Sequence, residues 1–449
     1  MNKTFLITAL LSLIMASSIA QQAPPTGQTY NFSLQDCINY AYEHQDTVLN
    51  AKLDIKSADY RVKEIIGGGL PQITGGATFQ DYLKIPTTLL PGEFFNAPGT
   101  FVPVKFGVKY QSNLTLDVNQ IIFDGSYIIG LKARNTYKEL SQRNYTRSKI
   151  DASVVVTKAY YQVLVSNEQI KLLDANLTQL KQQLDQTTAQ NKQGFVEKID
   201  VDRLNYQYND LQTRRENIVR LLVLNYQLLK FQMGMPIMEN LILKDKLVDV
   251  KLNENVADLN TDTTFYKNRV EYGLFETQLK LNQYEVKRRK AAFLPSLNAF
   301  GNYTSSYQNN GFSNLYSNSF PASYIGLRLN VPIFNGFQRT NQLRQSEITV
   351  LKSKNDLDRL KDALSLQASA ARINFFNGLQ TLKSQQRNRE LAQEVLRVTK
   401  IKYQQGVGSS IEVTQAQTAL EDADNKYIQG LYDALVSKVD LDKAYGRIQ

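Results

Sequence analysis

The chain contains one histidine and one cysteine, and these two residues limit the chemistry that it can perform. His44 stands alone, so neither a His-based metal site nor a Ser-His or Cys-His catalytic set can be built. Cys37 cannot form an intramolecular disulfide, and we expect it to be a small buried apolar residue. No pair of carboxylates stands apart from the helical charge pattern. The sequence therefore predicts no enzyme, no metal site and no cofactor.

The charge pattern argues against a nucleic-acid partner. The chain has 52 Lys and Arg against 42 Asp and Glu, a formal net charge of +10. These residues alternate with acidic residues and glutamine along helical stretches and do not form a basic block. Such alternation is typical of a solvated helix face.

The first twenty residues have the features of a secretory signal peptide. Lys3 is followed by an apolar run from Phe5 to Met15 and by the small-residue cleavage site Ser18-Ile19-Ala20. We therefore expect residues 1–20 to be removed and the chain to leave the cytoplasm. After Ala20 no apolar run reaches the length of a transmembrane helix.

The two halves of the chain carry the same landmarks in the same order, which indicates a tandem duplication. The predicted division is a first repeat over 21–240, a linker or equatorial segment over 241–262, and a second repeat over 263–449. The recurring landmarks are His44–Pro71 with Asn268–Pro295 (including Leu70 with Leu294), Ile122-Phe123-Asp124-Gly125 with Ile333-Phe334-Asn335-Gly336, Gln193-Gly194 with Gln405-Gly406, Ile199-Asp200-Val201 with Ile411-Glu412-Val413, and Gly234 with Gly446.

Each repeat contains two segments with the two-residue period of a β-strand. From Phe106 to Asn119 apolar and polar residues alternate over a length that could cross a bilayer as a tilted strand. The predicted strands lie at about 71–82, 105–120, 295–307 and 323–334, with exposed loops at about 83–105 and 308–322. A soluble sheet with one buried face fits the alternation too. Aromatic residues at the segment ends favour lipid instead: Phe79, Tyr82, Phe101, Phe106, Tyr303, Tyr307, Tyr316, Phe320 and Tyr324.

Long helices make up most of the remaining chain. A helix is predicted from Ser33 to Ile66, with a counterpart over 262–292, and each precedes a Leu-Pro pair. Proline-free helices follow the strands over about 126–191 and 338–403. Each reverses at a glycine turn, with tips at about 191–199 and 404–411, and a return helix follows.

Both long helices carry a heptad-like apolar seam, which predicts packing against other helices. The predicted seam positions are Val156, Ala159, Val163, Ile170, Leu173, Leu177, Leu180 and Leu184 in the first helix, and Leu357, Leu360, Leu364, Phe375, Leu382, Leu391, Val395 and Val398 in the second.

Four strands in one chain cannot close a barrel. An open strand edge in hydrocarbon leaves N–H and C=O groups unpaired, and each such group costs several kcal/mol. Closure must therefore come from several chains that share one barrel. The smallest barrels are filled by their own side chains, so a lumen requires three copies or more.

At this point the sequence resembles the TolC-type outer-membrane efflux protein family. Val331-Pro332-Ile333-Phe334-Asn335-Gly336 is similar to the family's V-P-L-F-D-G-G signature, and Tyr403-Gln404-Gln405-Gly406 with Ile411-Glu412-Val413 is similar to its Y-x-x-G…(D/E)-V turn. The resemblance implies an α+β membrane protein, a homotrimer with a twelve-stranded outer-membrane barrel, four strands per chain, that continues into a long α-helical coiled-coil barrel in the periplasm.

The same resemblance implies a function. The chain would be the outer-membrane channel of a tripartite efflux or type I secretion system. It would conduct substrate passively from an inner-membrane transporter and a periplasmic adaptor (membrane fusion) protein to the exterior. Outer-membrane lipid would surround the barrel. Drugs, metal ions, siderophores and secreted proteins all use tunnels of this kind, and the pump and adaptor decide the cargo.

The resemblance also implies candidate site residues at the periplasmic end. Tyr403 could bond Asp200 to close the tunnel, and Glu412 would give a ring of three carboxylates that attracts cations. The sequence departs from the family pattern at Gly408, where some members carry arginine, and at Gln415, where a second acid would stand. The turns themselves are the expected adaptor contact, through Gly194, Phe195, Val196, Gly406, Val407 and Gly408. Ordinary helix-surface groups and simple chain reversals remain the alternatives.

A different function class fits part of the same pattern. A periplasmic coiled-coil scaffold without a channel would also show long heptad helices and a signal peptide. The alternating segments discriminate, because a scaffold has no need of strands that face lipid on one side.

Overall fold

The structure is a computed structural model that describes residues 29–96, 98–247, 252 and 264–448. The predicted signal peptide and most of the predicted linker lie outside the described residues. The chain divides into two compact units. The first comprises the described parts of 1–49, 148–263 and 367–449, and the second comprises 50–147 and 264–366. Each unit thus takes residues from both halves of the sequence.

The second unit contains a four-stranded antiparallel sheet in the order β2-β5-β7-β8. Its strands are β2 (Gln72–Asp81), β5 (Tyr110–Phe123), β7 (Ser296–Asn309) and β8 (Ser319–Asn330). Strands β2 and β8 form the two edges, and neither has a partner on its outer side in the described chain.

The sheet has one apolar and one polar face, because residue pairs across the strands keep the alternation in phase. Leu116, for example, pairs with Gly75 and Tyr303, whereas Asp117 pairs with Thr74 and Asn302. The alternation predicted from Phe106 onward is confirmed from Tyr110. The aromatic residues divide between the faces: Phe320 and Tyr324 pair with Ser306 and Asn302 on the polar side.

Two short strands that the sequence interpretation treated as loop continue beyond this sheet. Strands β3 (Thr87–Pro91) and β4 (Phe101–Lys105) pair with each other in an antiparallel ribbon. Strand β5 therefore begins at Tyr110 and not near 105, which corrects the predicted boundary. The cause is Gly107, whose φ of +118° lies where residues with a Cβ rarely go, so the strand is interrupted there.

The helix predicted from Ser33 to Ile66 is two helices, which is a second correction. Helix α1 (Leu34–His44) ends where Gln45 adopts an extended conformation, and α2 (Asp46–Gly67) follows at once. The backbone at His44 packs so closely on Gly234 that a Cβ on Gly234 would lie 2.4 Å from the His44 carbonyl oxygen. The break thus accommodates a tertiary contact that a local pattern does not reveal.

The long helices and their return helices are confirmed. Helix α3 (Gly125–Lys192) precedes α4 (Lys198–Met233), and α6 (Gln338–Gln404) precedes α7 (Ser410–Ala444). The counterpart of α2 is shorter than predicted: after a 3-10 turn at Phe265–Asn268, helix α5 spans Val270–Ala291.

The predicted seam is correct for α3 but fails near the end of α6. Six of the eight positions on α3 are buried, and Ile170 and Leu177 are partly buried. Leu391, Val395 and Val398 are exposed, and Leu396 is buried instead. Leu396 packs on α7 through Val413, Ala416 and Leu420, so the contact with α7 sets which side of α6 is covered within the chain.

A small mixed element completes the first unit. Strand β1 (Thr29–Phe32) pairs in parallel with β6 (Asn240–Leu243), and their surroundings include the buried, unpaired thiol of Cys37. Burial raises the pKa of Cys37 to about 12, so the thiol stays neutral and packs as an apolar group, as predicted. None of the helices in the described part of the chain combines the length and apolar character that a membrane crossing needs.

Candidate gate at the hairpin turns

The α3–α4 and α6–α7 turns use the same backbone device. Gly194 and Gly406 take positive φ values of +80° and +75°, which favour glycine. In each turn the next residue donates its N–H to a carbonyl five residues earlier: Phe195 to Gln190 at 2.9 Å, and Val407 to Lys402 at 3.1 Å. This pattern is a Schellman cap, so both glycines end their helix and reverse the chain.

Both turns present an apolar side chain to solvent. Phe195 is 77% exposed and Val407 is 76% exposed, and each follows its turn glycine directly. Val196 is half-buried, and its carbonyl accepts a hydrogen bond from the side-chain amide of Asn191 at 2.8 Å. Gly408 lies against the end of α6, where a Cβ would come within 3.1 Å of the Tyr403 backbone nitrogen. The six predicted tip residues thus form two small, rigid turns with an exposed apolar residue on each.

Each hairpin has an apolar interior of its own. Leu173, Leu180 and Leu184 of α3 pack against Leu204 and Leu211 of α4. In the second hairpin Leu396 packs against α7, and Tyr403 is a partly buried neighbour of that cluster. Burial of several leucines stabilises each pair of helices by several kcal/mol, at roughly 2 kcal/mol for each fully buried leucine side chain.

Near the turns the contacts between the two hairpins are polar, whereas farther from the turns Ile428 and Leu435 of α7 join an apolar cluster with α3 and α4. Ser410 Oγ donates to Asp200 Oδ1 at 2.6 Å, and Gln207 Nε2 donates to Thr418 Oγ1 at 3.4 Å. Farther along, the charge of Arg214 acts on Glu421. Asp200, Gln207 and Arg214 follow one another at heptad spacing, so they lie on one face of α4. We call these three contacts the polar ladder.

The Glu421 carboxyl is a partly buried group of the ladder. Burial raises its pKa, the charges of Asp210 and Asp424 raise it further, and a hydrogen bond with Gln417 and the charge of Arg214 oppose this change. The carboxyl borders a small cavity of about 20 Å³ between α3, α4 and α7, which has room for roughly one water molecule. Water at this place can replace the partner of a broken hydrogen bond, so a polar contact here separates more easily than the apolar contacts within each hairpin.

The predicted partners Asp200 and Tyr403 lie near each other but have other hydrogen-bond partners in the described chain. The Asp200 carboxylate accepts from Ser410 and forms an ion pair with Arg203 at 3.4 Å. Burial raises the pKa of Tyr403, the Asp200 charge raises it further, and a hydrogen bond with Thr187 opposes both effects. In the described chain Asp200 therefore bonds Ser410 and Tyr403 bonds Thr187, in place of the predicted bond between Tyr403 and Asp200.

Glu412 lies in the first turn of α7. Its backbone N–H donates to Ser409 Oγ, the N-cap of that helix, at 3.3 Å. Its side chain is exposed, and a carboxylate in the first helical turn is favoured by the helix dipole. The Glu412 carboxylate therefore contacts solvent close to the α6–α7 turn.

Sequence reasoning missed Ser410, Thr187 and Gln207. Hydroxyl and amide side chains on a helix surface carry no periodic signal, and only the way that two hairpins meet reveals their partners. The heptad spacing of Asp200, Gln207 and Arg214 is the one feature that could have indicated a shared face. Among the described residues, no group of three or more His, Cys, Asp or Glu side chains is arranged to hold a metal ion.

Comparisons with known proteins show which family the chain resembles. The model of the outer membrane efflux protein family matches residues 275–447. Over these residues the chain is similar to the outer membrane efflux proteins. The outer membrane protein TolC of Vibrio cholerae is 20% identical over 338 residues, which cover 74% of this chain and 76% of that relative.

Solved structures have the same fold. The CmeC outer membrane channel of Campylobacter jejuni aligns with a TM-score of 0.73 and 15% identity, over 92% of this chain and 85% of CmeC. The open-state MtrE outer membrane channel of Neisseria gonorrhoeae aligns with a TM-score of 0.71 and 15% identity, over 92% of this chain and 88% of MtrE. The protein is located in the outer membrane and extends into the periplasm, as the similar TolC proteins are.

Removing the Ser410 hydroxyl tests the polar ladder. We expect Ser410→Ala to weaken the contact between the hairpins by on the order of 1 kcal/mol, because Asp200 loses a charge-assisted hydrogen bond at a half-exposed site. The population of separated hairpins should rise roughly fivefold, which single-channel conductance in planar bilayers would record. Thr399→Ala is the matched control, because Thr399 bonds only within its own helix. Equal conductance in both variants contradicts the prediction.

Proposed function

We propose that three copies of this chain form the outer-membrane channel of a tripartite efflux or type I secretion system. The channel conducts substrate passively from an inner-membrane transporter and a periplasmic adaptor to the exterior. The relatives with solved structures include outer membrane channels, and no catalytic step is part of this function. The observation that carries the proposal is the four-stranded sheet with one apolar face and two unpaired edges.

Edge pairing between copies supports the trimer. Inside hydrocarbon, β2 and β8 would each leave a row of unpaired backbone groups at several kcal/mol per group. Pairing β8 of one copy with β2 of the next removes both edges. Three copies of four strands give twelve, about the number at which a barrel keeps an open lumen.

The two sheet faces match the two environments of such a barrel. The apolar face with Leu116, Val118 and Leu327 suits lipid. The polar face is cross-linked by its own side chains: Asn302 Nδ2 donates to Asp117 at 2.7 Å, and Ser306 Oγ donates to Asn113 at 2.7 Å. Satisfied polar groups of this kind suit a water-filled lumen.

Unpartnered apolar stripes support a helical barrel of several copies. Helix α6 exposes Leu391, Val395 and Val398, and α4 exposes Leu221, Leu224 and Leu228 at helical spacing. Stripes of this kind indicate helix–helix contacts that one chain does not make. With the tandem duplication, three chains would supply six similar hairpins to one coiled-coil barrel.

We place the gate in the polar ladder and in Glu412. Asp200 and Tyr403 stay part of it, with Ser410 as the donor to Asp200 in the described arrangement. Apolar seams keep each hairpin intact while the polar contacts between hairpins separate, so the tips can move apart without unfolding. Three Glu412 carboxylates near the axis would favour cations as they enter.

The turns with Phe195 and Val407 are the proposed adaptor contact. Their glycine caps give a compact backbone that a partner can approach closely. Their exposed apolar side chains would be removed from water on binding, which favours docking. Gly194, Val196, Gly406 and Gly408 shape these turns.

Membrane extraction tests the channel against a periplasmic scaffold. Alkaline carbonate should leave the protein in the membrane fraction, because a lipid-facing barrel is held by apolar burial. Detergent should release a particle whose native mass equals three chains. Release by carbonate as a single chain would establish the scaffold and exclude the barrel.

Neutralising Glu412 tests the carboxylate ring. In planar bilayers under a KCl gradient, Glu412→Gln should shift the reversal potential toward zero, because the local attraction for K⁺ is lost. Glu412→Asp is the matched control and should keep the cation preference. An unchanged reversal potential in Glu412→Gln removes this residue from the gate.

Polar substitutions at the tips test adaptor docking. Phe195→Ser with Val407→Ser should weaken binding of the purified periplasmic adaptor at least tenfold, because burying the two side chains would contribute on the order of 3 kcal/mol. Conductance without adaptor should not change. Met238→Ser is the control, since Met238 is an exposed apolar residue outside the turns. The same affinity in tip and control variants contradicts docking at these residues.

A further inference from the structure

The polar face of the four-stranded sheet carries aromatic rings among its amide and hydroxyl groups. Phe300 pairs with Asn119 on β5 and with Gly326 on β8, so its ring lies on this face. Tyr324 pairs with Asn302 on the same face and is 57% exposed. Exposed rings beside a few polar groups are typical of surfaces that contact a ligand.

The neighbouring strand fixes the position of the Phe300 ring. A Cβ on Gly326 would lie 2.8 Å from Cζ of Phe300, so the ring lies directly over this glycine. Contact between an aromatic ring and a glycine on adjacent strands stabilises a sheet, and a larger residue at 326 would displace the ring. Phe300 is half-buried in this place and presents a fixed surface to the side chains beside it.

The Arg328 guanidinium stacks over this ring. Its central carbon is 5.0 Å from the centroid of Phe300, which is a cation–π contact. Arg328 is exposed, and among the described residues no carboxylate forms an ion pair with it. Stacking uses the flat side of the guanidinium and leaves the N–H groups at its edge free to donate. Arg328 is therefore held in one orientation with unused donors.

Arg328 is also the one positive charge that the four strands place on the polar face. The other charged residue of the strands on this face is Asp117, whose carboxylate accepts from Asn302 Nδ2 at 2.7 Å. Asp117 lies at the level of Tyr324, roughly 13 Å from Arg328 along the strands at about 3.3 Å per residue. The residues of β2 on this face are uncharged: Gln72, Thr74, Gly76, Thr78 and Gln80. The strands thus supply no carboxylate that neutralises Arg328.

Tyr324 adds an aromatic surface next to this charge. Its ring meets the Phe300 ring edge to face, with the centroids 6.1 Å apart and an angle of 74° between the planes. Phe300 therefore lies between Arg328 and Tyr324 and joins them into one cluster. A ligand that reaches the edge of the guanidinium is within reach of an aromatic ring as well.

We propose that Arg328, Phe300 and Tyr324 form a binding site for an aromatic carboxylate. The edge of the guanidinium binds the carboxylate through two N–H groups, and the rings contact the aromatic part of the ligand. The inference rests on the proposed function, because that function makes the polar face the wall of the lumen. Glu412 belongs to the other compact unit, so its carboxylate is not part of this site.

Binding of 1-naphthoate to the purified protein in detergent tests the site. Equilibrium dialysis should show saturable binding of one naphthoate for each chain. Arg328→Gln should weaken the affinity at least tenfold, because the carboxylate loses its charged partner. Arg328→Lys should weaken it at least threefold, because an ammonium lacks the planar fork. Lys109→Gln is the matched control and should leave the affinity unchanged, since Lys109 is an exposed cation stacked on Tyr110, 4.9 Å from the ring centroid, outside this face.

A second acid separates aromatic recognition from the attraction of any anion. Cyclohexanecarboxylate has the same charge without an aromatic ring, and it should bind at least fivefold more weakly than 1-naphthoate. Tyr324→Leu should remove most of this difference and leave the affinity for cyclohexanecarboxylate unchanged. Phe79→Leu is the control for loss of a ring, because Phe79 is an exposed aromatic residue on the apolar face.

Single-channel recording tests whether the site lies in the lumen. In planar bilayers 1-naphthoate should lower the current in a concentration-dependent way, because a bound ligand obstructs the path of the ions. Arg328→Gln should raise the concentration required for this block at least tenfold, and Lys109→Gln should not. The same block in Arg328→Gln as in the unsubstituted protein contradicts a lumenal site at this residue.

The outcomes separate this inference from the proposed function. No saturable binding, an unchanged naphthoate affinity in Arg328→Gln, or equal affinities for the two acids overturns the inference. A native mass of three chains together with conductance then leaves the proposed function intact, whereas a native mass of one chain in the unsubstituted protein overturns that function. If Arg328→Gln alone loses the three-chain mass, Arg328→Lys decides, and an affinity equal to that of the unsubstituted protein is contrary to the proposal.

Discussion

The unpaired edges of the four-stranded sheet are the constraint on which the rest of the structure depends. A sheet with an apolar outer face belongs in lipid, and lipid offers no partner for the N–H and C=O groups of β2 and β8. The fold therefore has its lowest free energy only when several chains join edge to edge. The proposed trimer, lumen and helical barrel would all follow from this one requirement of hydrogen bonding, and none of them requires a catalytic residue.

The helical part solves a different problem, because it must be stable and still able to open. Leucine seams within each hairpin give stability that does not depend on the neighbouring hairpin. Near the turns the hairpins contact each other through hydroxyl, amide and carboxylate groups, whose bonds can exchange for bonds to water at small net cost. In the proposed gate, this division would let the polar contacts near the turns separate while the apolar clusters stay packed.

Much of this architecture could be predicted from sequence, where long periodic segments repeat the same signal many times. The boundaries of α3, α6 and their return helices, and the faces of β5, follow from local patterning. Features set by single tertiary contacts could not be predicted. The break at Gln45 depends on Gly234, the buried side of α6 depends on where α7 packs, and the bond from Ser410 to Asp200 depends on how two hairpins meet.

A tandem duplication, as the sequence landmarks predict, would let the proposed assembly reuse one kind of contact. When both halves of a chain use the same strand-to-helix junction, the contact that joins the halves also serves to join one chain to the next. At Gly125 a Cβ would meet Ala291 and Leu294 of the same chain, whereas the described chain leaves the Cβ position at Gly336 open. A single chain satisfies one junction and exposes the other, so its exposed apolar residues at Ile333, Phe334 and Phe337 favour association. In the proposed trimer every junction would be covered, so the assembly would close as a ring and would not extend as a fibre.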